Sequence, residues 1–228
     1  MKQTARLTVV LGTTCLIASI VLAVGNLLTE VPRQQAESRE RQRNLRVVLP
    51  EFANDPLRDA VTLTTRTPGN SADSTVSFYP ARDAEQGGRL IAFAAEATSS
   101  LGYGGAVTVL AGVQPDGTLM QVLVTGHSET PGLGTRVTDR TRTRYLWEAF
   151  SKDLPAGLAP SVYLDQFTGR AAAALAGPDF RLVKSAAEVT DSSVLAISGA
   201  TVSSRAVADA VQQICSAFNQ HRQTLTQP

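Results

Sequence analysis

Near the C-terminus, Ser198-Gly199-Ala200-Thr201-Val202-Ser203-Ser204 places two small residues and several hydroxyls just before an amphipathic pattern. Val207, Val211, Ile214 and Phe218 recur at i, i+4, i+7 and i+11, which predicts a helix from about Ser204 to His221. A helix start exposes unpaired backbone N–H groups and the positive end of the helix dipole. Such an end can seat a phosphate, and Gly199 and Ala200 leave room for one to approach. A threonine at this point could contact a phosphate or carry one covalently. The competing reading is an ordinary helix start capped by Ser203 or Ser204.

A second segment, Gly126 to Gly134, reads GHSETPGLG. Its glycines admit close backbone approach and its proline fixes one corner, so His127, Glu129 and Thr130 could face a planar ligand. A plain connecting loop would use the same residue types. Other chemistries lack their residues. No G-x-S-x-G elbow supports a Ser/His/Asp triad, and no Walker A or dinucleotide-binding glycine pattern opens a helix. The Leu101-Gly102-Tyr103-Gly104-Gly105 run lies between strands, which makes it a weak phosphate loop. His127 and His221 are the only histidines, and there is no Cys/His cluster, so no metal site is expected.

These segments need a scaffold. Hydrophobic content of 43% and charged content of 18% describe a folded chain, and a net charge of +1 gives no basis for nucleic-acid binding. Leu7 to Leu28 carries no charge and is long enough to span a bilayer as one helix, which predicts a membrane anchor over residues 1–29. Residues 30–74 read as a charged stalk and linker, broken by Pro50, Asn54-Asp55-Pro56 and Pro68-Gly69-Asn70. A globular domain is expected over 75–228. Strands are predicted at Thr75–Tyr79 (ending at Pro80), Arg89–Ala97, Ala106–Val113 and Leu119–Thr125, with a hairpin turn at Pro115-Asp116-Gly117. A short helix at Thr141–Phe150 and strands at Ser161–Phe167 and Phe180–Lys184 follow, the last two separated by the alanine-rich stretch Ala171–Ala176. The expected class is α+β: a transmembrane helix, then one antiparallel sheet with flanking helices to one side. Cys15 and Cys215 lie in such different contexts that no disulfide is expected between them.

Taken together, GHSETPGLG at 126–134, Phe167-Thr168-Gly169-Arg170, and SGATVSS at 198–204 followed by Arg205-Ala206-Val207 resemble the FMN-binding domain of the G subunit of the Rnf ion-translocating electron-transport complex. The anchor, stalk and exported domain match too, so the likeness covers nearly the whole chain. It implies FMN held covalently by a phosphodiester to Thr201, installed by a flavin transferase. Ser198, Gly199, Ala200, Val202 and Ser203 would surround the attachment. His127, Glu129, Thr130, Gly132, Leu133 and Gly134 would border the isoalloxazine. The family's flavinylation pattern has an acidic residue six positions before the acceptor, where this chain has Leu195.

The implied role is a phosphoprotein-type flavoprotein subunit that passes electrons between other subunits of a translocase and is not catalytic alone. It would be a single-pass protein of the bacterial inner membrane. The basic residues Arg33, Arg39, Arg41, Arg43 and Arg46 favour an inside C-terminal flank by count, whereas the family topology puts the domain in the periplasm. Alternatives are a likeness to the C subunit of the sodium-translocating NADH:quinone reductase, or a non-redox membrane-anchored FMN-binding module.

Overall fold

The computed structural model describes residues 2–66, 73–83, 88–138, 140 and 158–226. The helix expected at Thr141–Phe150 lies outside them. The chain divides into two compact units, Met1–Arg43 and Asn44–Pro228.

The first unit is helical. It belongs to α1, Lys2–Val48, which continues through Pro32. The helix contains a stretch long and apolar enough to cross a membrane, none of it buried by protein. Leu11, Leu16, Ile20, Leu22 and Leu27 are all more than half exposed, so this surface needs an apolar solvent. Its hydroxyls suit such a setting. Thr14 and Ser19 donate to the carbonyls of Val10 and Cys15 one turn back, at 3.1 and 2.9 Å, and Thr29 does the same to Gly25 at 2.8 Å.

The second unit is built on a five-stranded antiparallel meander in the order β1 (Val61–Thr65), β2 (Ser74–Arg82), β3 (Leu90–Ser99), β4 (Val107–Val113) and β5 (Leu119–Gly126). All but one of the expected strands are present, and there are four differences, one of them a short strand over Ser193–Leu195 that was not foreseen. β1 was not foreseen, and it places sheet structure before residue 75. β2 continues through Pro80, which pairs with Phe93. The Pro80 carbonyl accepts from Asn54 Nδ2 at 2.8 Å, so this residue turns its polar side away from β3 and its missing N–H removes no ladder bond. The segment expected as a strand at Ser161–Phe167 instead forms a 3-10 turn over Leu164–Phe167. Two side chains hold that turn: Ser161 N–H donates to Asp165 Oδ2 at 2.8 Å, and Leu164 N–H donates to Ser161 Oγ at 3.3 Å. Short helices α2 (Thr135–Thr138) and α3 (Ala172–Ala176) and the parallel pair β6 (Arg181–Val183) and β7 (Ser193–Leu195) complete the domain with α4, Thr201–Thr226.

Both sheet faces are covered, not one. Alternate side chains of β2 to β5, among them Val76, Phe78, Phe93, Val109 and Leu119, pack on α4 through Val207, Val211, Ile214 and Phe218. Each of these large buried groups contributes about 1.5–3 kcal/mol. The opposite face takes Leu45, Val48 and Leu49 onto Tyr79, Ala92, Ala94 and Leu110. Thus part of the expected stalk and linker, Leu45 to Leu49, belongs to the core. The alanines of β3 keep that face low, and Gly112 lies so close to the Val48 carbonyl that a Cβ would overlap it.

Two buried acids of this core predict an alkaline limit to stability. Burial raises the Cys215 thiol above its ordinary value of 9.0 and the Tyr163 phenol above 10.0, a hydrogen bond to Ser204 only partly opposing the latter. The folded state therefore keeps protons that the unfolded chain releases. Each contribution is complete below the unfolded pKa and declines above it, at about 1.4 kcal/mol per pH unit per group. Thermal melts of the detergent-solubilised chain should fall in Tm from pH 9 to 11, with a shallower slope in Cys215→Ala.

Candidate functional site

The first turn of α4 begins earlier than the apolar periodicity indicates. The Ala200 carbonyl accepts the Ser204 N–H at 2.9 Å, which makes Thr201 the first helical residue. Ser203 and Ser204 are therefore inside the helix and do not cap it. Ala200 has no side-chain oxygen, and the N–H groups of Thr201, Val202 and Ser203 lie where an α-helix supplies no acceptor of its own. The two serine hydroxyls are turned inward. Ser204 Oγ accepts from Ile197 N–H at 3.1 Å, while the fully buried Tyr163 donates its hydroxyl to the Ser204 carbonyl at 2.6 Å. Gly199 has φ +82°, and a Cβ there would meet open space. Ser198 and Gly199 are exposed, Ala200 is buried, and Thr201 is half-buried.

Glu129 links this turn to the glycine loops. It is only 5% exposed. One carboxylate oxygen, Oε2, accepts the Ser203 hydroxyl at 2.8 Å, and the other, Oε1, accepts the Tyr103 N–H at 2.9 Å. The surrounding backbone approaches tightly enough to require glycine. A Cβ on Gly102 would stand 2.8 Å from Glu129 Oε1, and one on Gly134 would stand 2.9 Å from Ser203 Oγ. A Cβ on Gly104 would overlap the Ser128 carbonyl. The loop then turns through Gly132, φ +78°, whose N–H donates to Thr135 Oγ1 at 3.0 Å, and enters α2.

The approach to Ser198 is braced from the other side. Gly169 takes φ +78° and donates its N–H to the Leu119 carbonyl at 2.8 Å, while Leu119 N–H donates to the Arg170 carbonyl. This aims Arg170 at the carbonyls of Thr190, Asp191 and Ser193, at 2.9, 3.1 and 2.6 Å. Desolvation lowers the Arg170 pKa, with the Asp191 charge opposing it. Gln166 holds the next residues: its Nε2 donates to the Leu195 carbonyl at 3.1 Å and its Oε1 accepts the Leu195 N–H at 2.8 Å. Gln166 and Arg170, flanking Phe167-Thr168-Gly169, thus bracket the strand leading to Ser198.

Of the residues selected from sequence, Glu129, Gly134 and Ser203 meet directly. His127, Thr130, Gly132, Leu133, Ser198, Gly199 and Val202 are exposed around them, with Leu133 at 56% and Val202 at 47%. His127 Nδ1 accepts the Glu129 N–H at 3.4 Å. Sequence reasoning set aside the Leu101–Gly105 loop and did not single out Gln166 or Tyr163. Three glycines so close together were the signal for the loop; nothing local marks the other two.

Comparison with known proteins places the chain in a family. The family model for the FMN-binding domain matches residues 102–216, from the first of the crowded glycines into α4. The G subunit of the ion-translocating oxidoreductase complex of Stutzerimonas stutzeri is 36% identical over 129 residues, 56% of this chain and 53% of that protein, so the match spans about half of its length. Its counterpart in Cereibacter sphaeroides is 30% identical over 220 residues, covering 96% of this chain and 85% of its own. That of Pseudomonas aeruginosa is 29% identical over 230 residues, 100% of this chain and 94% of its own. The crystal structure of Shewanella oneidensis NqrC covers 82% of this chain and 98% of its own at 20% identity and a TM-score of 0.49, a likeness too distant to bear on function. With a site assembled from the matched segment and full-length relatives at this identity, the chain belongs to the FMN-binding domain family, among the G subunits of ion-translocating oxidoreductase complexes.

Proposed function

We propose that this chain carries FMN as a phosphodiester on Thr201 and passes electrons within an ion-translocating redox complex of the bacterial inner membrane. The apolar stretch of α1 would anchor it, with the FMN-binding domain on the periplasmic side. The observation that carries the reading is the first turn of α4. A half-buried threonine stands at its first position, behind an alanine that cannot cap, beside a glycine with open space around it. That arrangement fits a phosphate, whose oxygens would take the N–H groups of Thr201, Val202 and Ser203. His127, Thr130, Leu133 and Val202 would border the flavin ring from the exposed rim.

FMN, when bound, supplies one- and two-electron redox chemistry. The residues of the chain bind and orient it: the helix start receives the phosphate, and the glycine loops let the backbone come close. Its partners are then the other subunits of the complex and, during maturation, a flavin transferase.

Coexpression of the full chain with a flavin transferase tests this. After denaturation, the wild-type band should fluoresce in the gel, and its intact mass should include the added FMN ester. Thr201→Ala should fall to background on both measures. A dark wild-type band, or a fluorescent Thr201→Ala band, overturns the assignment.

A further inference from the structure

We infer that Glu129 is the positioning residue of the acceptor turn: its buried carboxylate clamps Ser203 to the Leu101–Gly105 loop, and so fixes the direction in which Thr201 presents its hydroxyl. The inference rests on the reading of Thr201 as the acceptor.

A carboxylate at 5% exposure is expensive to bury unless its oxygens are hydrogen-bonded. Glu129 meets that condition with two donors from segments far apart in sequence, one on each oxygen. Hydrogen bonds to a charged acceptor are among the stronger ones, and the first turn of a helix is a favourable place for a negative charge. The crowding at Gly102 and Gly134 leaves the carboxylate little room to move.

The consequence for Thr201 follows from helix geometry. Successive residues rotate by about 100°, so Thr201 lies about 200° around the axis from Ser203. Holding Ser203 inward on Glu129 turns Thr201 outward, in agreement with its half-buried state against the 2% exposure of Ser203. Glu129 acts through Ser203 and does not itself take part in the transfer.

The step it serves balances as a phosphoryl transfer from a flavin dinucleotide. The Thr201 hydroxyl oxygen forms a bond to the phosphorus on the flavin side, and the phosphoanhydride P–O bond breaks. A nucleoside monophosphate departs with the electron pair, and the hydroxyl proton passes to solvent or to a base of the transferase. Nothing is oxidised or reduced. An outward side chain on a fixed turn matters because small misplacements of a reacting atom are costly in rate.

Glutamine separates geometry from charge. In Glu129→Gln the amide oxygen can still accept the Tyr103 N–H, and the amide nitrogen can donate to the Ser203 hydroxyl, which accepts as readily as it donates. With the full chain and the transferase coexpressed, Glu129→Gln should flavinylate within about twofold of wild type, and Glu129→Ala should fall by on the order of tenfold or more. Ser203→Ala, which removes one bond and leaves the carboxylate in place, should fall by about threefold; its circular dichroism should stay that of the wild type, while its melting temperature falls because a buried acceptor has lost a donor. If Glu129→Ala does not fold, Ser203→Ala decides the matter. Wild-type labelling in a folded Glu129→Ala or in Ser203→Ala overturns the inference. So does a folded Glu129→Gln as dark as Glu129→Ala, which would assign the role to charge. A dark wild-type band fails the Thr201 reading instead.

Discussion

Gly104→Ala should lower the stability of the domain by about 3 kcal/mol and strongly reduce flavin loading. A Cβ at this position would overlap the Ser128 carbonyl oxygen, stand 2.6 Å from the Ser128 carbonyl carbon and reach 3.1 Å from the Glu129 Cα. All of these are backbone atoms, so no side chain can swing away to relieve the contact. The two loops would have to separate, and the Tyr103 N–H would leave the Glu129 carboxylate, which it now meets at 2.9 Å. A buried carboxylate would lose a donor at the same time. In a unit of this size the change corresponds to a drop in Tm on the order of 10 °C. Gly126→Ala is the control. Its Cβ would lie 3.5 Å from Thr108, an ordinary contact, and its φ is not positive, so stability should stay within about 0.5 kcal/mol. Differential scanning of the two proteins in the same detergent, with in-gel fluorescence of each, measures both effects.

Phe218→Ala should be comparably severe for a different reason, at about 3–5 kcal/mol. Phe218 is fully buried on α4 and meets the Phe93 ring edge-on, with centroids 6.1 Å apart. Phe93 in turn meets Phe78 at 6.3 Å, and Gly117 leaves room for the Phe218 edge at the hairpin. Truncation leaves a void in a layer whose partners are held by the strands, so little collapse is available. The Arg222 guanidinium, 5.9 Å above the same ring, also loses its seat. Denaturant titration should show the midpoint falling without a change in slope. Because Phe218 lies more than four helical turns beyond Thr201, the folded fraction of this variant should still flavinylate. Stability and loading thus separate here, whereas Gly104→Ala lowers both.

Much of the scaffold was readable because periodicity records burial. The alternation across β2 to β5 and the spacing of Val207, Val211, Ile214 and Phe218 gave the sheet and the helix that covers it. β1 escaped because Val-Thr-Leu-Thr-Thr is only five residues long, and two apolar positions in alternation are too few to separate a strand from the surrounding linker. Ser161–Phe167 misled because its β-branched and aromatic residues suit a strand, yet Tyr163, Leu164 and Phe167 are buried at helical spacing. The start of α4 was misplaced for a related reason. Ser203 and Ser204 look like caps by composition, but their hydroxyls serve tertiary partners. The pairing of the 126–134 and 198–204 segments was legible through family likeness. That Glu129 is the atom-level link was not, since a buried carboxylate in a loop leaves no periodic trace.

The Gln166 clamp has a bearing on the unusual Leu195. Both polar groups of the Leu195 backbone are taken by one amide side chain, which stands in for a neighbouring strand. The main chain leading to Ser198 is therefore held without any help from whatever side chain occupies position 195. That decouples the path of the chain from the chemical identity of the residue. On the proposed reading, sequence drift at this point would alter what a flavin transferase meets while leaving the path of the main chain intact.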